Sequence, residues 1–210
     1  MRYGVVVLVA GFTGLLSFAL LAVSIGSEYW YIIDVKPNHP DFEDLSSHSG
    51  LWRIYEGKNA SSHLIHSFTM DTSTLSEVER HLIKLHKVIV ILLPISLVLL
   101  VFGWISGLVS SLAHSPCLIS GSASYFLLCS LFTLSGVSVY ISYCQQALAE
   151  LQQVLGPEEL SLVDVSFGWS LAMAWLSYSL EVTTGLLLIL AARIAQLQGH
   201  HDSGIAIAMV

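Results

Sequence analysis

Charge is scarce in this sequence: 11% of its 210 residues are charged, against roughly a quarter in ordinary soluble chains. Basic residues are scarcer still, with 8 Lys and Arg against 15 Asp and Glu and a formal net charge of −7. Clustered cations are what neutralise phosphates, so a generic nucleic-acid binder is excluded. Cysteine is sparse too. Cys117, Cys129 and Cys144 form an odd, scattered set with none before position 117, which supplies neither a disulfide framework nor metal-ligand spacing. Lone cysteines in apolar runs most often act as small packing residues. Cys-x-x-Cys, His-Glu-x-x-His and Gly-x-Ser-x-Gly are all missing, so no redox, zinc-protease or nucleophile-elbow chemistry is signalled. His63-x-x-His66 and His200-His201 lack the further ligands a zinc site needs. The sequence reads as non-enzymatic and without cofactor or metal. His63, His66, His81 and His86 sit among polar residues, where solvation is the expected state.

What the chain has in quantity is apolar surface: 54% of residues are hydrophobic and the mean hydropathy is +0.73. Four runs, at about 4–26, 86–110, 117–143 and 167–192, reach the length that crosses a bilayer. They enclose a first loop at about 27–85, a connection at about 111–116, a second loop at about 144–166 and a tail at 193–210. The first run is longer than the apolar part of a signal peptide, so a retained helix is expected although Ala22-Val23-Ser24 mimics a cleavage site. The short connection makes the second and third spans antiparallel neighbours. Pro94 should kink the second span, and Gly103-x-x-x-Gly107 offers a flat face for helix packing inside the chain. Tyr140 and Tyr143 mark the far interface of the third span. The tail is expected to be disordered, since Ala208-Met209-Val210 is a poor match to a PDZ groove.

The long loop patterns as a small antiparallel sheet. Tyr29–Ile33 and Leu51–Tyr55 are rich in aromatic and β-branched residues, and His63–Phe68 suits a third strand. Lys36–Pro40 breaks structure between the first two, and Glu56–Asn59 makes a turn. Val163–Phe167 alternates like one more short strand that joins the sheet edge. Asn59-Ala60-Ser61 is a glycosylation sequon, meaningful if the loop faces the lumen. Thr74-x-x-Glu77 and Ser76-x-x-Glu79 both fit a capping box opening the helix that runs into the second span. Asp41, Glu43 and Asp44 form an acidic cluster that reads as solvated loop. Glu181 is the one acid deep in an apolar run, and an intramembrane acid is a functional candidate by default. A single carboxyl makes a poor ion path, so a hydrogen bond to a hydroxyl such as Thr13 or Ser17 is the expected arrangement.

Trp30 followed by Ser49-Gly50-Leu51-Trp52-Arg53, between a first and second span, resembles the claudin superfamily, including peripheral myelin protein, epithelial membrane proteins and calcium-channel γ subunits. Phe167-Gly168-Trp169-Ser170, with Glu181 and Gly185 beyond it, is similar to the γ subunits. The resemblance implies a left-handed four-transmembrane-helix bundle carrying an extracellular antiparallel sheet, four strands from the first loop and one from the second. It implies that Trp30, Leu51 and Trp52 wedge between sheet and helix ends. It further implies a plasma-membrane glycoprotein with both termini cytoplasmic, whose partners are the lipid bilayer and other membrane proteins, met through the outer sheet and helix faces, with homo-oligomers among the options. An auxiliary role beside a channel or receptor is the first expectation, and cell-contact or membrane organisation the second. The charge bias does not support this orientation, because Lys36, Arg53, Lys58, Arg80, Lys84 and Lys87 all lie on or beside the long loop; that rule weakens for loops of this length. Relatives carry a disulfide between first-loop strands. Here Tyr55 stands where its first cysteine would fall, and no cysteine lies in the loop.

Overall fold

A computed structural model describes residues 3–35, 47–56, 61–65, 76–154 and 163–208. Along the chain lie α1 (Tyr3–Gly26), β1 (Tyr31–Val35), β2 (Ser47–Ser49), β3 (Arg53–Glu56), β4 (Ser61–Leu64), α2 (Glu77–Leu112), α3 (Pro116–Val154), β5 (Val163–Phe167) and α4 (Trp169–Ala208). Among the described residues, four helices are long and apolar enough to cross a membrane. The chain falls into two compact units.

The first unit comprises Ala22–Pro94 and Leu134–Trp175 and holds the sheet, whose strand order is β4-β3-β2-β1-β5 with every pair antiparallel. Tyr31 pairs with both Ser49 and Phe167, so the second loop extends the first loop's sheet at one edge, as the alternation at 163–167 implies. Strand boundaries differ from the sequence reading: β1 is Tyr31–Val35 rather than Tyr29–Ile33, and β3 is Arg53–Glu56 rather than Leu51–Tyr55. β2 is Ser-His-Ser, whose residues carry no apolar alternation, and β4 is Ser61–Leu64, opening two residues ahead of the strand expected at His63–Phe68, of which 66–68 lie outside the described residues. Both are held by backbone pairing to β3 rather than by side-chain pattern. The entry to α2 follows the predicted box: Ser76 N donates to Glu79 Oε2 at 2.9 Å, and Glu79 N donates to Ser76 Oγ at 3.3 Å, so two otherwise orphaned donors are satisfied reciprocally. Thr74, Asn59, the acidic cluster Asp41, Glu43 and Asp44, and His66 lie outside the described residues.

The second unit comprises Met1–Leu21, Ile95–Thr133 and Leu176–Val210. Its polarity runs inside-out: Leu8, Phe12, Phe102, Leu131 and Leu186 are exposed while Ser17, Ser96, Thr133, Ser177, Glu181 and Thr184 are buried. Lipid is as apolar as Leu, so such helices gain little from hiding Leu and associate through close packing and hydrogen bonds. The predicted small-residue face fits this: a Cβ at Gly103 would sit 3.0 Å from the Tyr125 ring, and one at Gly107 3.7 Å from Phe126. α2 stops at a turn where His114 takes φ 48°, the left-handed conformation that ends helices.

Two lengths differ from the sequence reading. α3 continues past Tyr143 to Val154, and α4 continues past Ala192 to Ala208 where a disordered tail was expected. Gln145–Val154 and Arg193–Gln198 are rich in Ala, Leu and Gln, good helix formers with no Pro or Gly among them, so each helix continues past its apolar run, and α4 runs on through Gly199 and Gly204.

Candidate functional site

A helix ends with four carbonyls that lack an intrahelical partner. At the end of α1 two indoles supply the donors. Trp30 Nε1 donates to the Ser24 carbonyl at 2.8 Å, and Trp52 Nε1 donates to the Ile25 carbonyl at 3.0 Å. Ser27 N adds a bond to the Val23 carbonyl at 2.9 Å. The two tryptophans therefore act as side-chain caps on α1, which gives this pair of residues a physical reason that aromatic content alone does not. Trp30 is fully buried, with its ring edge-on to Tyr140 at 4.7 Å and 61°. Leu51 is likewise buried. Trp52 departs from the expected wedge, since it stays 40% exposed and contributes a hydrogen bond more than packing. Arg53 opens β3 and is exposed.

Glycine is required at two points of this joint. A Cβ on Gly50 would come within 2.8 Å of the Glu28 Cα, and one on Gly168 within 1.8 Å of the Tyr29 carbonyl oxygen. The close approach lets Trp30 N donate to the Ser49 carbonyl, Gly168 N to the Trp30 carbonyl and Ser170 N to the Tyr29 carbonyl, at 3.0, 3.0 and 3.2 Å. Ser24 Oγ also donates to the Ser170 carbonyl at 2.7 Å. The start of α4, the end of α1 and the inner strands are thus tied by backbone as well as by rings.

Histidine 86 overturns its sequence reading. It is buried, and its Nε2 lies 3.1 Å from the Leu51 carbonyl, so that nitrogen carries the hydrogen and donates. Its ring also meets Tyr143 at 5.7 Å. Polar neighbours in sequence hid this role; the one available signal was its place at the very start of the apolar run of α2.

On the sheet, rings stack in a column. Tyr29 stacks on His48 at 4.5 Å and 2°, and His48 on Tyr55 at 4.7 Å and 6°. Trp169 continues it beside Tyr29 at 6.1 Å. Tyr29 and Trp169 are both exposed. On the opposite face of the sheet from His48 and Tyr55, Tyr31 is half-buried, and burial, helped by nearby Cys144, pushes its phenol up to about 12.

Tyr55 lies opposite Ser62 across the β3–β4 ladder. An oxidised Tyr55→Cys/Ser62→Cys pair is therefore expected to form, shown by a reduction-dependent gel shift that the wild-type chain lacks. Closing so short a loop should raise the sheet's stability by about 2 kcal/mol. Failure of the pair to oxidise would put the β3–β4 register in error.

In the second unit Glu181 is fully buried, and its partners are not those the sequence suggested. Thr133 Oγ1 donates to both carboxyl oxygens, at 2.9 and 3.0 Å, and Ser96 Oγ in turn bonds Thr133 Oγ1. Ser177 Oγ reaches Glu181 at 3.3 Å but lies closer to the Ser17 carbonyl, at 2.8 Å, while Ser17 Oγ donates to the Ser177 carbonyl at 3.1 Å. Thr13 instead bonds Thr184, at 2.8 Å. Ser96, Thr133, Glu181, Ser177 and Ser17 thus form one hydrogen-bonded chain that touches all four helices. This arrangement can fix helix register; with one acid and neutral hydroxyls, it offers no second charge for an ion path.

A family model described as PMP-22/EMP/MP20/Claudin tight junction matches residues 15–190.

Proposed function

The chain belongs to the claudin superfamily, and on that premise we propose that it is a non-enzymatic auxiliary partner of a larger membrane channel or receptor, acting through its sheet. It is a multi-pass membrane protein with a claudin-like fold. The observation that supports the partner reading is the ring column Trp169–Tyr29–His48–Tyr55, mounted on strands that the Trp30 joint ties to the helix ends. Aromatic side chains on a rigid support are the residues that dominate protein interfaces, because they bury much area at little entropic cost. Phe167-Gly168-Trp169-Ser170 and Glu181 add the likeness to calcium-channel γ subunits. Within the superfamily, Leu45–Arg53, Leu93–Leu97 and Val139–Tyr143 are similar to transmembrane proteins 114 and 235. In this reading the sheet is extracellular, Asn59 carries a glycan, both termini are cytoplasmic and the plasma membrane is the site of action.

The tight-junction description of the family favours a second reading, organisation of cell contacts. The two part in one experiment. Proximity labelling from the first loop in living cells, followed by co-expression with each labelled channel, should yield a larger multi-span partner whose current changes. That current change should fall when Tyr29 and Tyr55 are both replaced by alanine. Enrichment at cell borders with aggregation of transfected cells, and no current change, would replace the first reading by the second.

A further inference from the structure

Between the inner face of the sheet and the extension of α3 lies a half-open cavity of about 240 Å³. Tyr31, Ile33, Ser47 and Ser49 line it from the strands, and Cys144 and Ala147 from the helix. That volume is room for about eight waters, and it falls just below the range of pockets that enclose a whole drug-sized molecule. It suits one end of a larger molecule whose remainder stays outside.

The lining narrows the chemistry. Ile33, Ala147 and the tyrosine rings are apolar, which disfavours a sugar or a charged headgroup. Among the described residues, however, no side-chain hydrogen bond engages the hydroxyls of Ser47, Ser49 or Tyr31, so the wall also presents donors and acceptors. A bare alkyl chain would leave them unmatched, and desolvating unpaired hydroxyls is costly. A rigid apolar ring bearing one hydroxyl satisfies both halves of the wall.

The position narrows the source. The cavity begins beside Tyr140 and Tyr143 of α3, rings of the type that sit at the membrane interface, and continues along the helix to Ala147. It is therefore continuous with the headgroup level of the bilayer. Acyl tails run from that level toward the midplane and would have to turn back to enter. A sterol instead carries its hydroxylated ring at this level. We propose that the cavity receives the hydroxyl-bearing ring end of a membrane sterol. This site goes beyond partner docking and does not depend on it.

Cys144 reports on occupancy, and exposed Cys117 in the other unit serves as an internal control. The full-length chain in phosphatidylcholine nanodiscs, with and without cholesterol, is alkylated with a small apolar thiol reagent. Cholesterol should slow Cys144 modification roughly tenfold when it stands about ten times above its Kd, leaving Cys117 unchanged. A photoactivatable sterol should crosslink to peptides containing Tyr31–Ile33 or Cys144–Ala147, with unlabelled cholesterol competing. Ala147→Phe, which fills the cavity, should remove both effects. Equal Cys144 rates with and without cholesterol in the unmutated chain would overturn the proposal. So would sterol crosslinks confined to the outward faces of the helices, or labelling of the same peptides by a photoactivatable phosphatidylcholine but not by the sterol. Both membrane faces are open in a nanodisc, so the result is independent of the chain's orientation in cells.

Discussion

Replacing Trp30 with alanine should lower the stability of the sheet-bearing unit by about 3–5 kcal/mol, the range for deleting a fully buried indole. Two losses combine. The ring leaves a cavity against Tyr140, and the Ser24 carbonyl loses one of its two side-chain donors, keeping the Ser27 hydroxyl at 2.9 Å. Trp30→Phe separates them, since it keeps most of the ring and removes only the hydrogen bond, for about 0.5–1.5 kcal/mol while Ser27 still bonds the Ser24 carbonyl. Trp52→Ala should cost less than Trp30→Ala, because Trp52 is 40% exposed and its main tie is one bond to Ile25. Thermal or denaturant unfolding in detergent, followed by tryptophan fluorescence and limited proteolysis, ranks the three. If Trp52→Ala proved the most damaging, the capping account of this joint would be wrong.

The second large effect lies at Glu181. Glu181→Ala removes the acceptor of Thr133 and opens a cavity in the buried chain of hydroxyls. Hydrogen bonds between membrane helices average about 0.6 kcal/mol and reach about 1.7, so most of the expected loss of about 2–4 kcal/mol comes from the cavity. Glu181→Gln keeps the volume and an acceptor oxygen for Thr133, and should remain within about 1 kcal/mol of the parent. Partner capture and surface expression should follow stability: near normal for Gln and reduced for Ala. Should Gln be as harmful as Ala, the role of the residue is its ability to ionise, not its place in the hydrogen-bonded chain.

Much of the architecture was legible because two periodicities report on burial directly. Long apolar runs marked the spans, and the alternation at Val163–Phe167 marked the strand that closes the sheet edge. The capping box at Ser76 and Glu79 was readable because both partners are three residues apart. What escaped depended on contacts distant in sequence. Ser47–Ser49 is a strand because β1 and β3 flank it, and three polar residues give no pattern. His86 bonds a carbonyl 35 residues away, so its polar neighbourhood misled. The candidate site was legible as residue names but not as geometry. Trp30 and Trp52 stood out at once, yet that they cap the same helix end, one buried and one exposed, needed coordinates. Glu181 stood out as well, and its hydroxyl partner lies on α3 rather than α1, a choice that spacing along the chain does not determine.

The proposed role requires the sheet to face the cell exterior. Leu64, exposed on edge strand β4, is replaced by cysteine, and intact cells are treated with a membrane-impermeant maleimide, with exposed Cys117, which the proposed topology assigns to the cytoplasmic side, as the reference. Labelling at position 64 in intact cells, with Cys117 reached only after permeabilisation, is the predicted result. Labelling of Cys117 in intact cells, with position 64 protected until the membrane is opened, would contradict it.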